Sequence, residues 1–318
     1  MKKYILLLIS VAAFAQQPTK RIEFEAPGSY PEGIAYDKGT NAFYVSSARL
    51  GTIGKVTKDG KYSVLYEDKS LKSTYGIKVH PDGKRLFVCA GDANYSIYST
   101  PETKKKLARL VSIDLKSGKK LADIDLSGLV PGDHFPNDIA FDDKGNAYIT
   151  DSYAYAVYKI DAAGKATVFS KSELLQSAGV GPNGIVYHPS GFLIVANNGA
   201  GSLVKITIAS PASGEKVRLT QFFPGADGML LNDDNTLTLV QNGGVNKVFR
   251  IATKDRWKTA GVTETTAMED RFNYPSTATT DGKDTWVMNA AFSELAEGNN
   301  VPSKKFSMQQ AVFRPVSQ

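Results

Sequence analysis

The sequence predicts an all-β fold: one six-bladed β-propeller with four-stranded blades. Three observations predict it. A corner-plus-strand pattern recurs six times, every recurrence carries the same strand and turn grammar, and no segment sustains a helical period. The corners read PEGIAYD, TYGIKVH, PNDIAFD, PNGIVYH, ADGMLLN and PSTATTD. They recur at roughly the 40–60-residue spacing that four strands per unit require. At their shared position stand Glu32, Tyr75, Asn137, Asn183, Asp227 and Ser276.

From the N-terminus, Lys2 and Lys3 precede an apolar run from Tyr4 to Val11 and the small-x-small signal Ala13-Phe14-Ala15. Residues 1–15 are therefore expected to be a signal peptide, with an apolar run too short to span a bilayer. Residues 16–318 are expected to form a single domain, periplasmic or secreted, with no membrane attachment after cleavage. KRIEFEA, residues 20–26, alternates charged and apolar side chains ahead of the first corner. It is predicted to supply the outer strand of the last blade, which closes the ring and removes an exposed edge.

The first unit reads GIAYD, KGTN, AFYVSS, then TIGKVTKDGKYSVLYE: strand, turn, strand, connection, strand, Gly turn, strand. The third repeats it with DIAFD, DKG, NAYITDS and VYKIDAAGKATVFS. SELLQSAG, residues 172–179, is the best candidate for a short helix, between blades. One blade cannot bury both faces of its sheet, so the six units make one domain. Strand parity puts the corners on the same face as the connections between second and third strands. The long insertions, 91–108 and 292–308, fall in that class and are expected to rim the channel mouth. The interblade segment 126–136 reaches the same face.

Composition excludes several function classes. A formal net charge of +6 is mildly basic, and no Lys/Arg block is long enough to argue for nucleic acid. Lys104-Lys105-Lys106, the densest run, reads as a solvated loop. Cys89 stands alone in the strand RLFVCA, a packed thiol that can form no internal disulfide. A monomer acting on a small molecule is expected.

Four corners carry the chemistry. Glu32, Asn137, Asn183 and Asp227 offer two anionic and two neutral oxygens around one channel, a donor set for a hard divalent cation, Ca²⁺ above all. No His or Cys occupies a corner, which disfavours zinc and copper. Asn or Asp before Gly is also ordinary turn chemistry, and any single corner could be that. Four oxygen donors at aligned positions in one ring are harder to explain so.

The residues PEGIAYD, FPNDIAFDDKGNAYITDS, GPNGIVYHPSG and PGADGMLLNDDNTL give the chain a resemblance to the senescence-marker-protein/gluconolactonase group of six-bladed propellers. More distantly it is similar to paraoxonases and diisopropylfluorophosphatase. The resemblance covers essentially all of the chain after the leader, and the order Glu, Asn, Asn, Asp is its specific part. It implies that Glu32, Asn183 and Asp227 hold the metal, that Asn137 touches metal or substrate, and that Asp227 acts as general base or nucleophile. The implied activity is lactone or ester hydrolysis in the manner of a gluconolactonase. Phosphotriester hydrolysis on the same site, and a non-catalytic calcium-stabilised scaffold that binds a small molecule or protein, stay open beside it.

The remaining candidates are weaker. His134 is expected near the mouth as a proton shuttle or substrate contact. Tyr75 and Ser276, the corners without a strong ligand, are expected to line the channel as substrate contacts or walls. Asp138 is expected to point into its blade and orient Asn137. His80 and His188 sit in HP-x-G turns on the opposite face. Arg109, Asp151 and Asn289 are placed near the upper ends of inner strands.

Overall fold

The computed structural model describes residues 19–295 and 302–316. The predicted leader, and part of the 292–308 insertion, lie outside them. Six sheets surround a central axis, each led by one of the predicted corner strands. Blade 1 runs Ile34–Asp37, Ala42–Val45, Thr52–Thr57 and Tyr62–Glu67, paired in that order. The inner strands of blades 2 to 6 are Ser73–Val79, Pro136–Phe141, Pro182–His188, Ala226–Leu231 and Pro275–Thr280. The expected helix over 172–179 is a single 3₁₀ turn, Glu173–Leu175, capped by Ser172.

The ring closes as predicted. Arg21–Glu25 pairs antiparallel with Lys305–Gln310 as the outer strand of blade 6. Its alternation puts Ile22 and Phe24 in the core and the charged residues outside. Blade 5 is built differently. Its outer strand, Thr259–Thr265, takes Arg218–Leu219 in parallel along one half and Arg314–Pro315 antiparallel along the other. The C-terminal segment thus ties blade 6 back to blade 5.

The core lies between blades. Ala35, Tyr44 and Ile53 of blade 1 pack on Ile77, Leu86, Val88 and Val111 of blade 2. Ala140, Tyr148 and Val157 of blade 3 pack likewise on Ile185, Leu193, Val195 and Val204 of blade 4. Each sheet buries both faces only because it has neighbours on both sides.

The corners prove to be β-bulges inside the inner strands. In blades 2 to 6 the ladder slips between Thr74 and Ile77, Pro136 and Ile139, Pro182 and Ile185, Ala226 and Met229, and Pro275 and Ala278. The residues skipped are Tyr75-Gly76, Asn137-Asp138, Asn183-Gly184, Asp227-Gly228 and Ser276-Thr277. In blade 1, Glu32-Gly33 lie just ahead of the ladder, and both N–H groups donate to Ser46 Oγ, at 3.3 and 2.7 Å. A bulge twists the strand locally and re-aims a side chain that the pleat would otherwise send between blades.

The glycines after these corners have a reason other than turn geometry. Gly33, Gly76, Gly184 and Gly228 are absent from the positive-φ residues. A Cβ at the first three would fall on the carbonyl oxygen of Tyr75, Asn137 and Asp227, the corner of the following blade; at Gly228 it would fall on Thr277. Glycine is needed here because adjacent inner strands approach closely at the axis.

Candidate metal centre in the channel

Glu32, just ahead of the blade 1 ladder, and Asn137, Asn183 and Asp227, in the bulges of blades 3, 4 and 5, stand at the corresponding position of their inner strands. All four are buried. Each presents one oxygen without a hydrogen-bond partner among the described residues: Glu32 Oε2, Asn137 Oδ1, Asn183 Oδ1 and Asp227 Oδ1. Leaving such an atom unpaired costs about 1–3 kcal/mol, more when charged. Four of them at one corner position of the ring would be a large uncompensated penalty, unless a ligand supplies the missing partner. The other partnerless buried atoms, such as Ser170 Oγ and Trp257 Nε1, are scattered through the fold.

The electrostatics point the same way. Burial pushes the Glu32 carboxyl well above the usual range, and Asp227 then Asp138 push it further; Lys78 only partly offsets them. Asp227 is likewise raised by burial and then by Asp138, against the amides of Asn242 and Asn183. Nearby carboxylates with little counter-charge make a site that a dication would neutralise. The donors fit a hard cation: two carboxylates and two amide oxygens. His, Cys, Asp and Glu by themselves form no metal-binding cluster among the described residues, so any such site depends on the two asparagines.

The neighbours hold these side chains in place. Asn242 Nδ2 donates to Asp227 Oδ2, leaving Oδ1 without a partner among the described residues. Thr150 Oγ1 donates to the Asn183 carbonyl at 2.6 Å. Asp138, where blades 1, 2, 4 and 5 have glycine, accepts from Ile139 N at 2.8 Å and Ile185 N at 3.3 Å. Its carboxylate therefore clips blade 3 to blade 4 and sets the distance between Asn137 and Asn183. Asp138→Ala strands two buried donors, so we expect a loss of about 2–4 kcal/mol in denaturant unfolding. Asp138→Asn, which keeps one acceptor, should recover part of it.

The structure gives other candidates different work. His134 is buried, with Nδ1 at 2.7 Å from Asp151 Oδ2, and Asp151 also accepts from Phe135 N at 2.8 Å and Tyr158 Oη at 3.1 Å. Through Nδ1 the ring fastens the segment that leads into Asn137 to the strand Ala147–Asp151 of blade 3. Burial opposes protonation of His134, but the Asp151 carboxylate outweighs it and raises the pKa. A raised histidine pKa gives stability that is full below the unfolded value near 6.5 and fades as pH rises through the folded value. The thermal midpoint should accordingly fall as pH rises from about 6 past that value, and His134→Gln should flatten this slope.

Tyr75 and Ser276 do not stand as free channel contacts. Tyr75 is fully buried against Phe135, and its hydroxyl accepts from Ala93 N at 3.0 Å. Ser276 Oγ donates to the Glu32 carbonyl and fastens blade 6 to blade 1. Arg109 is on a third strand, Ala108–Asp114, and its guanidinium reaches outward to Asp123. Asn289 Nδ2 donates to Ser307 Oγ at 3.1 Å within blade 6. His80 and His188 accept from Asp82 N and Ser190 N in their turns. Cys89 is a buried core thiol whose pKa burial raises.

Sequence reasoning missed an aromatic rim over the centre. Phe292, in the blade 6 insertion, has its ring 5.4 Å from Tyr95 of the blade 2 insertion and 5.8 Å from Tyr274. Phe135 stands 4.7 Å from Tyr75 and 5.4 Å from Tyr153. The blade 2 insertion is organised around buried Asp92, which accepts from Ser99 Oγ at 2.8 Å and Thr103 Oγ1 at 2.7 Å. The only signal available was the placement of Tyr95 and Phe292 in insertions that strand parity assigns to the mouth.

Several solved structures share this architecture. The Malassezia sympodialis allergen Mala s 1 aligns with a TM-score of 0.73 at 16% identity, over 92% of this chain and 96% of that one. A gluconolactonase family protein aligns at 0.58 and 17% identity, over 94% of each chain. Luciferin-regenerating enzyme aligns at 0.62 and 12% identity, over 94% of this chain and 98% of its own. No protein-family profile matches the sequence, and no curated protein does. At these identities the likeness is one of fold. The neighbours include enzymes, and the resemblance drawn from the corner motifs fits among them.

Proposed function

We propose that this chain is an exported, divalent-cation-dependent hydrolase of lactones or related esters, with Ca²⁺ the favoured ion. The observation that carries the reading is the set of four partnerless buried oxygens, one each from Glu32, Asn137, Asn183 and Asp227. These residues would hold the cation, which when bound polarises a carbonyl oxygen and stabilises the charge that develops on it.

The chain's own residues supply the rest. Asn242 holds the Asp227 carboxylate by Oδ2 and leaves Oδ1 unpaired among the described residues. Asp227 would help to hold the cation, and a carboxylate has lone pairs left over with which to accept a proton. Asp227 takes the proton from a water that attacks the carbonyl carbon, and returns it to the ring or ester oxygen as the C–O bond breaks. Burial and the aromatic rim keep bulk water from the other donors, which strengthens each electrostatic contact.

The test is a panel of lactones, carboxylic esters and phosphotriesters assayed with Ca²⁺, with EDTA, and with Ca²⁺ restored. Turnover of a lactone or ester, lost in EDTA and regained with the ion, is expected. Metal-loaded protein that folds, binds one equivalent of Ca²⁺ and hydrolyses nothing would leave the propeller as a binding scaffold and end the hydrolase reading.

A further inference from the structure

We propose that Lys78 is the built-in counter-ion of the four-oxygen centre: a positioning charge that offsets the acidic side chains while the centre is empty and weakens cation binding once it is filled. The inference rests on the cation site of the reading above and not on hydrolysis.

Lys78 lies three residues past the blade 2 corner, Tyr75, on the inner strand Ser73–Val79. The other inner strands have Ala35, Ala140, Val186, Leu230 and Thr279 at that place, so the ring carries one charge there, and it is positive. Strand geometry fixes which way the side chain points. Ile77 packs with Ala35 and Tyr44 of blade 1. Side chains alternate along a strand, which turns Lys78 to the opposite face, toward blade 3. Its cross-strand partner agrees: Phe87, opposite Lys78, has its ring 5.2 Å from Phe141 of blade 3. The two inner strands also approach closely here. A Cβ on Gly76 would fall on the Asn137 carbonyl oxygen and 2.6 Å from Asp138 Cα. Lys78 is thus held in the seam between blades 2 and 3.

The ammonium has no carboxylate of its own. Lys20, Lys58, Lys106 and Lys120 each pair with an aspartate, whereas half-buried Lys78 forms no ion pair among the described residues. Its field reaches the centre instead. Burial leads the rise in pKa of both Glu32 and Asp138, and Lys78 is the basic side chain that pulls both back. Three carboxylates ionised around a bound ion, those of Glu32, Asp138 and Asp227, and one ammonium leave two net negative charges, which a single dication balances.

The two effects of Lys78 act on affinity in the same direction. In the empty centre its charge offsets repulsion among the carboxylates, and in the filled centre it repels the cation; buried charges are screened little by salt. Neutralising Lys78 therefore destabilises the empty protein and favours the loaded one, so cation affinity rises on both counts. The gain grows with the charge of the ion, because the repulsion is proportional to it.

Lys78→Met and Lys78→Gln, two neutral variants of similar length, test this beside Lys78→Arg, which keeps the charge. Titration calorimetry on metal-stripped protein should show both neutral variants binding Ca²⁺ about tenfold tighter than wild type, and Tb³⁺ tighter by a larger factor, toward about thirtyfold. The thermal midpoint of the stripped neutral variants should fall by about a few degrees, and saturating Ca²⁺ should close the gap. Lys78→Arg should stay within about threefold of wild type for both ions. A lysine that only packs would leave Ca²⁺ binding unchanged or weaker when replaced. That result in a neutral variant that unfolds cooperatively, or a Tb³⁺ gain no larger than the Ca²⁺ gain, overturns the inference. Wild type that binds neither ion ends the cation site and this inference with it. Tighter binding by the neutral variants, with no lactone or ester turned over by any form, sinks the hydrolase reading alone. Ca²⁺-dependent turnover with an affinity indifferent to the charge at position 78 sinks this inference alone.

Discussion

Asp227→Asn is expected to lower turnover of a responsive lactone by about 10²–10⁴-fold, the range for loss of a positioned general base. The amide is nearly the same size and can still meet Asn242, but it cannot take a proton. The fold should tolerate it well. Burial and Asp138 already disfavour charge at position 227, so removing the charge relieves repulsion in the metal-free protein. Activity and thermal unfolding should therefore separate: activity falls while the midpoint holds or rises. Combined with Glu32→Gln, which removes the other anion, bound Ca²⁺ should disappear on metal analysis. A double variant that keeps its Ca²⁺ would mean the ion sits away from the corners.

Much of this centre could be read from the amino-acid order, because the repeat puts chemically different residues at one structural position. Glu32, Asn137, Asn183 and Asp227 were identified from alignment of the corners, and strand parity placed them on one face. The bulges were not visible. An extra residue in a ladder is defined by the partner strand, and nothing in TYGIKVH or PNGIVYH marks it apart from Gly. The same glycines looked like turn residues, whereas their φ angles and their contacts show close approach of neighbouring strands.

Other misreadings have equally physical causes. The partner of His134, Asp151, was not legible because it lies 17 residues away in sequence and meets the ring only through the blade 3 fold. Tyr75 and Ser276 looked like channel walls, but the bulge turns their polar atoms onto neighbouring backbone. The strand Arg314–Pro315 is two residues long and carries no period at all. The aromatic rim depends on two insertions meeting across the mouth, a contact that neither insertion encodes alone.

The second large effect should come from the smallest change, Gly184→Ala. The new methyl would land on the Asp227 carbonyl oxygen, with Gly228 Cα and Met229 N each 3.0 Å away. All three are backbone, so no side chain can swing aside, and the blade 4 and blade 5 inner strands must part. Overpacking in a close-packed core costs about 1–3 kcal/mol when side chains can yield, and more when they cannot. We expect a loss of about 3 kcal/mol or more in equilibrium unfolding, enough to shift the midpoint by several degrees. Because the displaced residues include Asp227, Ca²⁺ affinity should fall along with stability. Gly128→Ala is the matched control. Gly128 is not among the positive-φ residues and a Cβ there meets nothing within 4 Å, so the variant should unfold like the wild type or slightly later. If Gly184→Ala matched Gly128→Ala in both stability and Ca²⁺ binding, the close contact between inner strands would not be what sets the channel, and the spacing of the four oxygens would need another cause.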